Sequence, residues 1–162
     1  MLTRATLAVL CLACAFGAVL CEEEDDDHPF GSIRNCAPDS DLAELKDVSV
    51  LGFAKNETVC TLRRDKHTSI TIDFVAKKRE WRVFTKVHGI IAGLEMPFEL
   101  KHPDACKDTG LVCPLAPGQH TYTYSIFVDK SKPKLRHVDV KWELLNEFNK
   151  PLVCVLIPAR IR

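Results

Sequence analysis

Two cysteines and two histidines in the second half of the chain have a spacing that could hold a metal ion. His102, Cys106, Cys113 and His120 are separated by three, six and six residues. Thiolates and imidazoles are the usual ligands of Zn²⁺, but this spacing matches no common zinc module. The N-terminal segment has a secretory pattern, described below, which favours a disulfide between Cys106 and Cys113 instead. Such a disulfide would close the glycine-containing loop between them. We therefore expect no metal site.

Histidine is also the most frequent catalytic acid or base, and the chain has six histidines. None of them lies in a metalloprotease motif or beside a nucleophile in a recognisable hydrolase motif. The sequence therefore predicts no catalytic residues and no cofactor, and we expect a protein that is not an enzyme.

The N-terminal segment has the pattern of a secretory signal peptide. A single basic residue, Arg4, precedes an apolar stretch that ends at Cys21. Cleavage before Glu22 would leave an acidic tail over residues 22–32 that begins with six carboxylates, followed by one domain over 33–162. An uncleaved membrane anchor is the alternative for 1–21. For the tail, the alternatives to a solvated segment are a pro-segment and cation binding. The pattern predicts a secreted, extracellular protein or one of the endolysosomal lumen.

Cleavage would leave five of the eight cysteines, an odd number. In an oxidising compartment five cysteines form at most two disulfides and leave one thiol unpaired. The sequon Asn56-Glu57-Thr58 predicts a glycoprotein with Asn56 on an exposed loop.

The charge of the chain argues against nucleic acid as a partner. Lys and Arg balance Asp and Glu at 22 each, and the part after residue 27 has 21 basic and 16 acidic residues. This excess is too small for a nucleic-acid-binding stripe. Basic clusters at Arg63-Arg64, Lys77–Arg79 and Lys130–Arg136 lie near predicted turns. They indicate solvated loop edges or, alternatively, contact with anionic lipid headgroups.

Alternating apolar and polar residues indicate that the body is made of β-strands. The alternating segments are 70–75, 81–87, 121–126 and 138–144, and an apolar strand is predicted over 152–157. Asp39–Lys46 is predicted to form a short turn at most. Prolines fall between these segments or at their ends. The sequence thus predicts an all-β sandwich or small barrel. Its inward-facing aromatic residues would fill a core or surround a cavity; they are Trp81, Phe98, Tyr122, Tyr124 and Trp142.

Several segments together resemble the ML (lipid-recognition) domain family, in particular the Niemann-Pick type C2 sterol carriers, to which the group 2 mite allergens are related. The similar segments cover most of residues 33–161. They are Ile33–Cys36, Val87–Leu94, Pro97-Phe98, Pro103–Lys107, Cys113–Leu115, Gly118-Gln119, Tyr122–Tyr124, Val140–Leu144, Cys154 and Ile157–Ile161.

The resemblance implies an immunoglobulin-like β-sandwich of two antiparallel sheets with an internal hydrophobic cavity and no catalytic residues. It also implies Cys36–Cys154 and Cys106–Cys113 disulfides. A third family disulfide would need a partner for Cys60 within residues 51–59, where this chain has no cysteine. We therefore expect Cys60 to be a free thiol.

The resemblance further implies a lipid-binding site between the sheets. Phe98 and Val128 match family positions at the ligand, and the strand pattern adds inward-facing residues. The expected lipid-binding residues are Phe98, Tyr124, Val128, Val138, Val140 and Trp142. Lys132 replaces a tyrosine at the cavity mouth, which leaves sterols other than cholesterol, fatty acids and lipophilic signals open as ligands.

The function expected from these features is that of a monomeric lipid carrier that binds and transfers a sterol or a similar hydrophobic ligand. The alternatives are innate-immune recognition of bacterial lipid of the lipid A type, and extracellular carriage of fatty acids or semiochemicals. Besides the lipid, anionic membranes or a membrane sterol transporter would be transient partners.

Overall fold

The computed structural model describes residues 32–162. The predicted signal peptide, 1–21, and all of the predicted acidic tail except Ser32 lie outside the described residues. The described part contains nine strands. They are β1 Arg34–Asn35, β2 Ala43–Val50, β3 Cys60–Leu62, β4 Lys66–Ala76, β5 Val83–Ile91, β6 Leu94–Phe98, β7 Gly118–Val128, β8 Leu135–Asn146 and β9 Pro151–Ile161. Residues 32–162 contain no helix that is long and apolar enough to span a bilayer.

The strands form an immunoglobulin-like sandwich of two sheets, which confirms the predicted fold class. One sheet has the order β1-β9-β8-β5-β6, and the other has the order β2-β4-β7. Neighbours in both orders are antiparallel. The short strand β3 is the exception, since it pairs with the C-terminal end of β9 in parallel.

Alternation along β8 determines which side chains enter the core. Val138, Trp142 and Leu144 are buried, whereas Asp139, Lys141 and Glu143 lie on the opposite face of the sheet. The two sheets are also joined by a polar contact inside the core. The hydroxyl groups of Thr85 on β5 and Tyr122 on β7 are 2.8 Å apart and form a buried hydrogen bond.

The five predicted strands correspond to β4, β5, β7, β8 and β9. The prediction of a turn at most over Asp39–Lys46 was wrong, because β2 begins at Ala43 and pairs with β4 along its length. Strand β6 contains Pro97, which an edge strand tolerates because one side of its backbone has no strand neighbour.

The prediction that Trp81 faces inward was also wrong. Trp81 precedes β5 in the loop after β4, and 62% of its surface is exposed. The guanidinium group of Arg79 lies 5.0 Å from the centre of its indole ring. A cation over an aromatic face gives this exposed ring a favourable contact without burial.

Two disulfides stabilise the sandwich, and both are the pairs that the resemblance implied. Cys36, directly after β1, is bonded to Cys154 on β9, 118 residues later. Cys106 is bonded to Cys113 across a separation of seven residues. Cys106 and Cys113, the two cysteines of the zinc site considered above, are thus bonded to each other and cannot act as thiolate ligands. Residues 32–162 contain no group of three or more potential metal ligands.

Candidate ligand-binding cavity

A cavity of about 250 Å³ lies between the two sheets. Its walls come from β5, β8 and β9 of one sheet and from β4 and β7 of the other. Its mouth is bordered by β6 and by the loop between β7 and β8, residues 129–134. Both sheets direct alternate side chains inward, so the strands that build the core also build the cavity.

The cavity wall is almost entirely apolar. Val138, Val140 and Trp142 line it from β8, and Ile126 and Val128 face them from β7. An apolar cavity offers water few hydrogen bonds, so a hydrocarbon ligand is favoured over water inside it. The arrangement can therefore hold an apolar molecule.

Five of the six residues expected at a lipid site line this cavity: Phe98, Val128, Val138, Val140 and Trp142. Tyr124 does not line it. Its ring lies 5.6 Å from the indole of Trp142 and 6.5 Å from the stacked ring of Tyr122. Tyr124 therefore packs against Trp142 from the opposite sheet and does not form the cavity surface.

Tyr122 lies in the fully packed part of the sandwich. Its side chain is completely buried, and its ring centre is 6.5 Å from that of Trp142. Burial raises the pKa of the Tyr122 hydroxyl well above its usual value, although the hydrogen bond between Tyr122 and Thr85 opposes this. The hydroxyl is thus a neutral structural group at the inner end of the cavity.

Gly89 helps to leave the space between the sheets open. It lies on β5 opposite Val140 on β8 and lines the cavity. A Cβ atom at this position would lie 3.4 Å from Cγ2 of Val138. A larger side chain here would extend into the cavity, so the lack of one adds volume. In the sequence, Gly89 lies within a strand-like run, and a glycine inside a strand often marks a place where a ligand or another backbone comes close.

Cys60 also lines the cavity, which its sequence position does not reveal. Only 2% of its surface is exposed, and no cysteine among residues 32–162 is bonded to it. Burial, with a smaller contribution from Glu57, raises the pKa of the Cys60 thiol to about 11. The thiol is therefore protonated and weakly nucleophilic at neutral pH.

At the mouth, the ring of Phe98 and the side chain of Lys132 face each other. The Lys132 ammonium nitrogen lies 4.6 Å from the centre of the Phe98 ring. Lys132 and His88 are the two basic residues among those lining the cavity. The His88 ring is directed to the outer face of the sheet, where its Nδ1 is 3.7 Å from Oε2 of Glu143.

The basic clusters lie at opposite ends of the sandwich. Lys78 follows β4 at the end away from the mouth, where its ammonium is 2.6 Å from Asp41. At the mouth end, an open groove shares Leu135 and Ile161 with the cavity wall. Its basic residues are Lys134, Arg136, His137, Arg160 and Arg162.

Asn56 of the predicted glycosylation sequon is exposed in the loop between β2 and β3. Its position is compatible with glycosylation, which stays a prediction.

Comparison with known proteins identifies the family. The ML domain matches residues 31–161, nearly the whole described part of the chain. The chain is 45% identical to an ecdysteroid-regulated 16 kDa protein of Manduca sexta over 123 residues, which are 75% of this chain and 83% of the moth protein. It is 41% identical to the NPC intracellular cholesterol transporter 2 homolog a of Drosophila melanogaster over 124 residues, covering 76% of this chain and 83% of the fly protein.

The fold also matches a solved structure. The crystal structure of a Niemann-Pick type C2 protein from the Japanese carpenter ant superposes with a TM-score of 0.75 at 28% sequence identity. The match covers 80% of this chain and 98% of the ant protein.

Proposed function

We propose a lipid-carrier function for this chain, which belongs to the ML domain family. In this proposal the protein binds a sterol, or a hydrophobic lipid of similar size, between its sheets and transfers it without a chemical step. The observation that carries the proposal is the apolar cavity, which opens to solvent at one edge of the sandwich. The fly relative is named as a cholesterol transporter homolog, which supports a sterol-like cargo.

The size of the cavity bears on how such a ligand enters. Pockets for drug-sized ligands have volumes of about 300–1,000 Å³, so a cavity of about 250 Å³ is at the lower limit. We infer that the sheets separate slightly when a ligand enters. Packing contacts between the two sheets would then be exchanged for contacts with the ligand.

The expected affinity suits a carrier. A sterol-sized ligand with roughly 28 non-hydrogen atoms gains about −8 kcal/mol at about −0.3 kcal/mol per atom. This corresponds to a Kd of about a micromolar, at which a ligand can be released as well as bound. A lipid A-type ligand would need a wider slot and several cations for its phosphates. The small cavity and its single inward-facing lysine favour the smaller cargo.

The proposed place of action is outside the cytosol. Two disulfides among residues 32–162 indicate folding in an oxidising compartment. The predicted signal peptide agrees with secretion or delivery to the endolysosomal lumen. The basic groove beside the mouth would orient the opening towards an anionic membrane, at about 1 kcal/mol per Lys or Arg near the surface.

The proposal is tested with the intrinsically fluorescent sterol dehydroergosterol. Its binding to the purified protein, and the rate of its transfer between vesicles with and without protein, are measured together. Micromolar binding with accelerated transfer is expected. Lipids extracted from the natively purified protein are identified by mass spectrometry in parallel. No binding of a sterol or fatty acid, and no co-purifying lipid, would overturn the proposal.

A further inference from the structure

We propose that Lys132 is a headgroup site and that the preferred cargo is a lipid with one carboxylate. In this arrangement the carboxylate pairs with the Lys132 ammonium at the mouth while the hydrocarbon part occupies the cavity. The proposal rests on the proposed carrier function and adds the chemical class of the ligand.

The position of Lys132 is set by its loop. Nη1 of Arg64 donates hydrogen bonds to the carbonyl oxygens of Lys130 at 3.1 Å and Lys132 at 3.3 Å. The backbone N–H of Lys132 donates to the carbonyl of Asp129 at 3.1 Å, which closes a turn. The loop therefore presents the lysine side chain to the mouth from a backbone that is held at several points.

Lys132 also lacks a counter-ion among the described residues. No carboxylate of residues 32–162 lies within 4.0 Å of the Lys132 ammonium. Several other described lysines are also without such a pair, but Lys132 is the one among them that lines the cavity. Asp129, in the same loop, accepts a 2.7 Å hydrogen bond from the backbone N–H of Ser131. The hydrogen bonds from Ser131 lower the pKa of Asp129 most, and the charges of Lys130 and Lys132 contribute less, so its carboxylate is held mainly by Ser131. A half-buried cation with an aromatic neighbour and no paired anion is suited to receive an anion from a ligand.

The rest of the wall determines the orientation of such a ligand. An ionised carboxylate is strongly disfavoured against apolar side chains, so it would not enter the part of the cavity lined by Ile126, Val138 and Val140. The ring of His88 is directed to Glu143 on the outer face and is not available inside. Because Lys132 supplies one positive charge, a monocarboxylate is a better match than a phosphate with two.

The test compares one hydrocarbon chain with and without the charge. Binding of fluorescent cis-parinaric acid and of its methyl ester is measured on wild type, Lys132→Met and Lys132→Arg. Lys130→Met is the matched control, because Lys130 is in the same loop but does not line the cavity. Thermal unfolding of each variant shows that it is folded, and dehydroergosterol binding reports the cavity independently of the carboxylate.

Wild type should bind the acid about tenfold more tightly than the ester. Lys132→Met should remove most of this difference by weakening the acid alone, whereas Lys132→Arg and Lys130→Met should retain it. Higher salt should reduce the preference, because the ion pair is partly exposed. Equal binding of acid and ester by wild type, or an equal loss of both in Lys132→Met, would overturn the headgroup site. If the ester and the sterol still bind in that case, the carrier function stands; if neither binds to wild type, the carrier function fails as well.

Discussion

The ammonium group of Lys132 lies over the ring of Phe98, 4.6 Å from its centre, across the mouth of the cavity. The two residues come from different elements, since Phe98 ends β6 and Lys132 belongs to the loop between β7 and β8. Together they border the opening between the two sheets. A ligand that enters must pass both side chains, so either one can alter affinity without belonging to the fully packed core.

Phe98→Ala should weaken binding more than it weakens the fold. Phe98 is half-buried and faces open space, so its truncation should cost less than the roughly 3–5 kcal/mol typical of a packed phenylalanine. The ligand contacts it removes should reduce dehydroergosterol affinity at least tenfold, about 1.4 kcal/mol. Phe74→Ala, at a completely buried position, is the control that should show the full loss of stability. Equal destabilisation by both substitutions, with sterol binding unchanged for Phe98→Ala, would contradict this role.

Filling the cavity from Gly89 should weaken binding while the protein stays folded. The Gly89 backbone has no positive φ, so a side chain is compatible with its conformation. Gly89→Ala should reduce sterol affinity moderately and Gly89→Val should reduce it more strongly, because the added methyl groups occupy ligand volume. Titration with the fluorescent sterol and urea unfolding check the two effects. Unaltered affinity in Gly89→Val would show that the ligand binds elsewhere.

Removal of Cys36–Cys154 should destabilise the protein more than removal of Cys106–Cys113. The first disulfide closes a loop with a separation of 118 residues and the second one of 7. Chain entropy gives about 4–5 kcal/mol for the longer loop and about 2–3 kcal/mol for the shorter one. Alanine is used for each pair because a serine at Cys154 would bury a hydroxyl. Differential scanning calorimetry should give a lower Tm for the first variant; the reverse order would contradict the entropic argument.

The buried thiol of Cys60 should make the protein less stable at alkaline pH. Its pKa is raised to about 11 in the folded state from an ordinary value of 9.0, so folding favours the protonated thiol. The difference between the two pKa values corresponds to a contribution of about 2–3 kcal/mol to the free energy of unfolding. This contribution is complete below about pH 9 and is lost as the pH rises through 11.

Urea unfolding of wild type and Cys60→Ala between pH 8 and pH 11 isolates this effect. Tyr122 also has a raised pKa, but it is present in both proteins, so only their difference reports Cys60. The free energies of unfolding of the two proteins should converge with rising pH, because only the wild type has a thiol at position 60 that ionises more readily when unfolded. A constant difference between them would contradict a raised pKa of Cys60 in the folded state.

Much of the fold could be predicted from the sequence because strand alternation is a local property. The pattern from Val138 to Leu144 identifies the buried face of β8 without reference to any other strand. Short edge strands gave weaker signals. Strand β6 has five residues, one of them proline, and all are exposed or half-buried, so their pairing with β5 rather than their own pattern makes them a strand.

The candidate site was less predictable than the fold. The alternating pattern of β7 places Tyr124 on the same face as Val128, yet only Val128 borders the cavity. The position of each residue along β7 decides whether it reaches the cavity. Val128 ends the strand at the cavity mouth, whereas Tyr124 lies further in, where its ring and those of Tyr122 and Trp142 fill the space between the sheets. Trp81 likewise continues an alternating pattern, but it lies in the loop before β5 begins and is exposed.

By itself, the sequence determined the all-β class, the inward face of the long strands and an odd number of cysteines after residue 21. These features depend on residue type and on a period of two along the chain. Only the tertiary structure decided where the sheets leave a cavity, that Cys60 lines it, and that Lys132 meets Phe98 at its mouth. Each of these depends on the separation and register of strands distant in the chain, and no local pattern of residues encodes that distance.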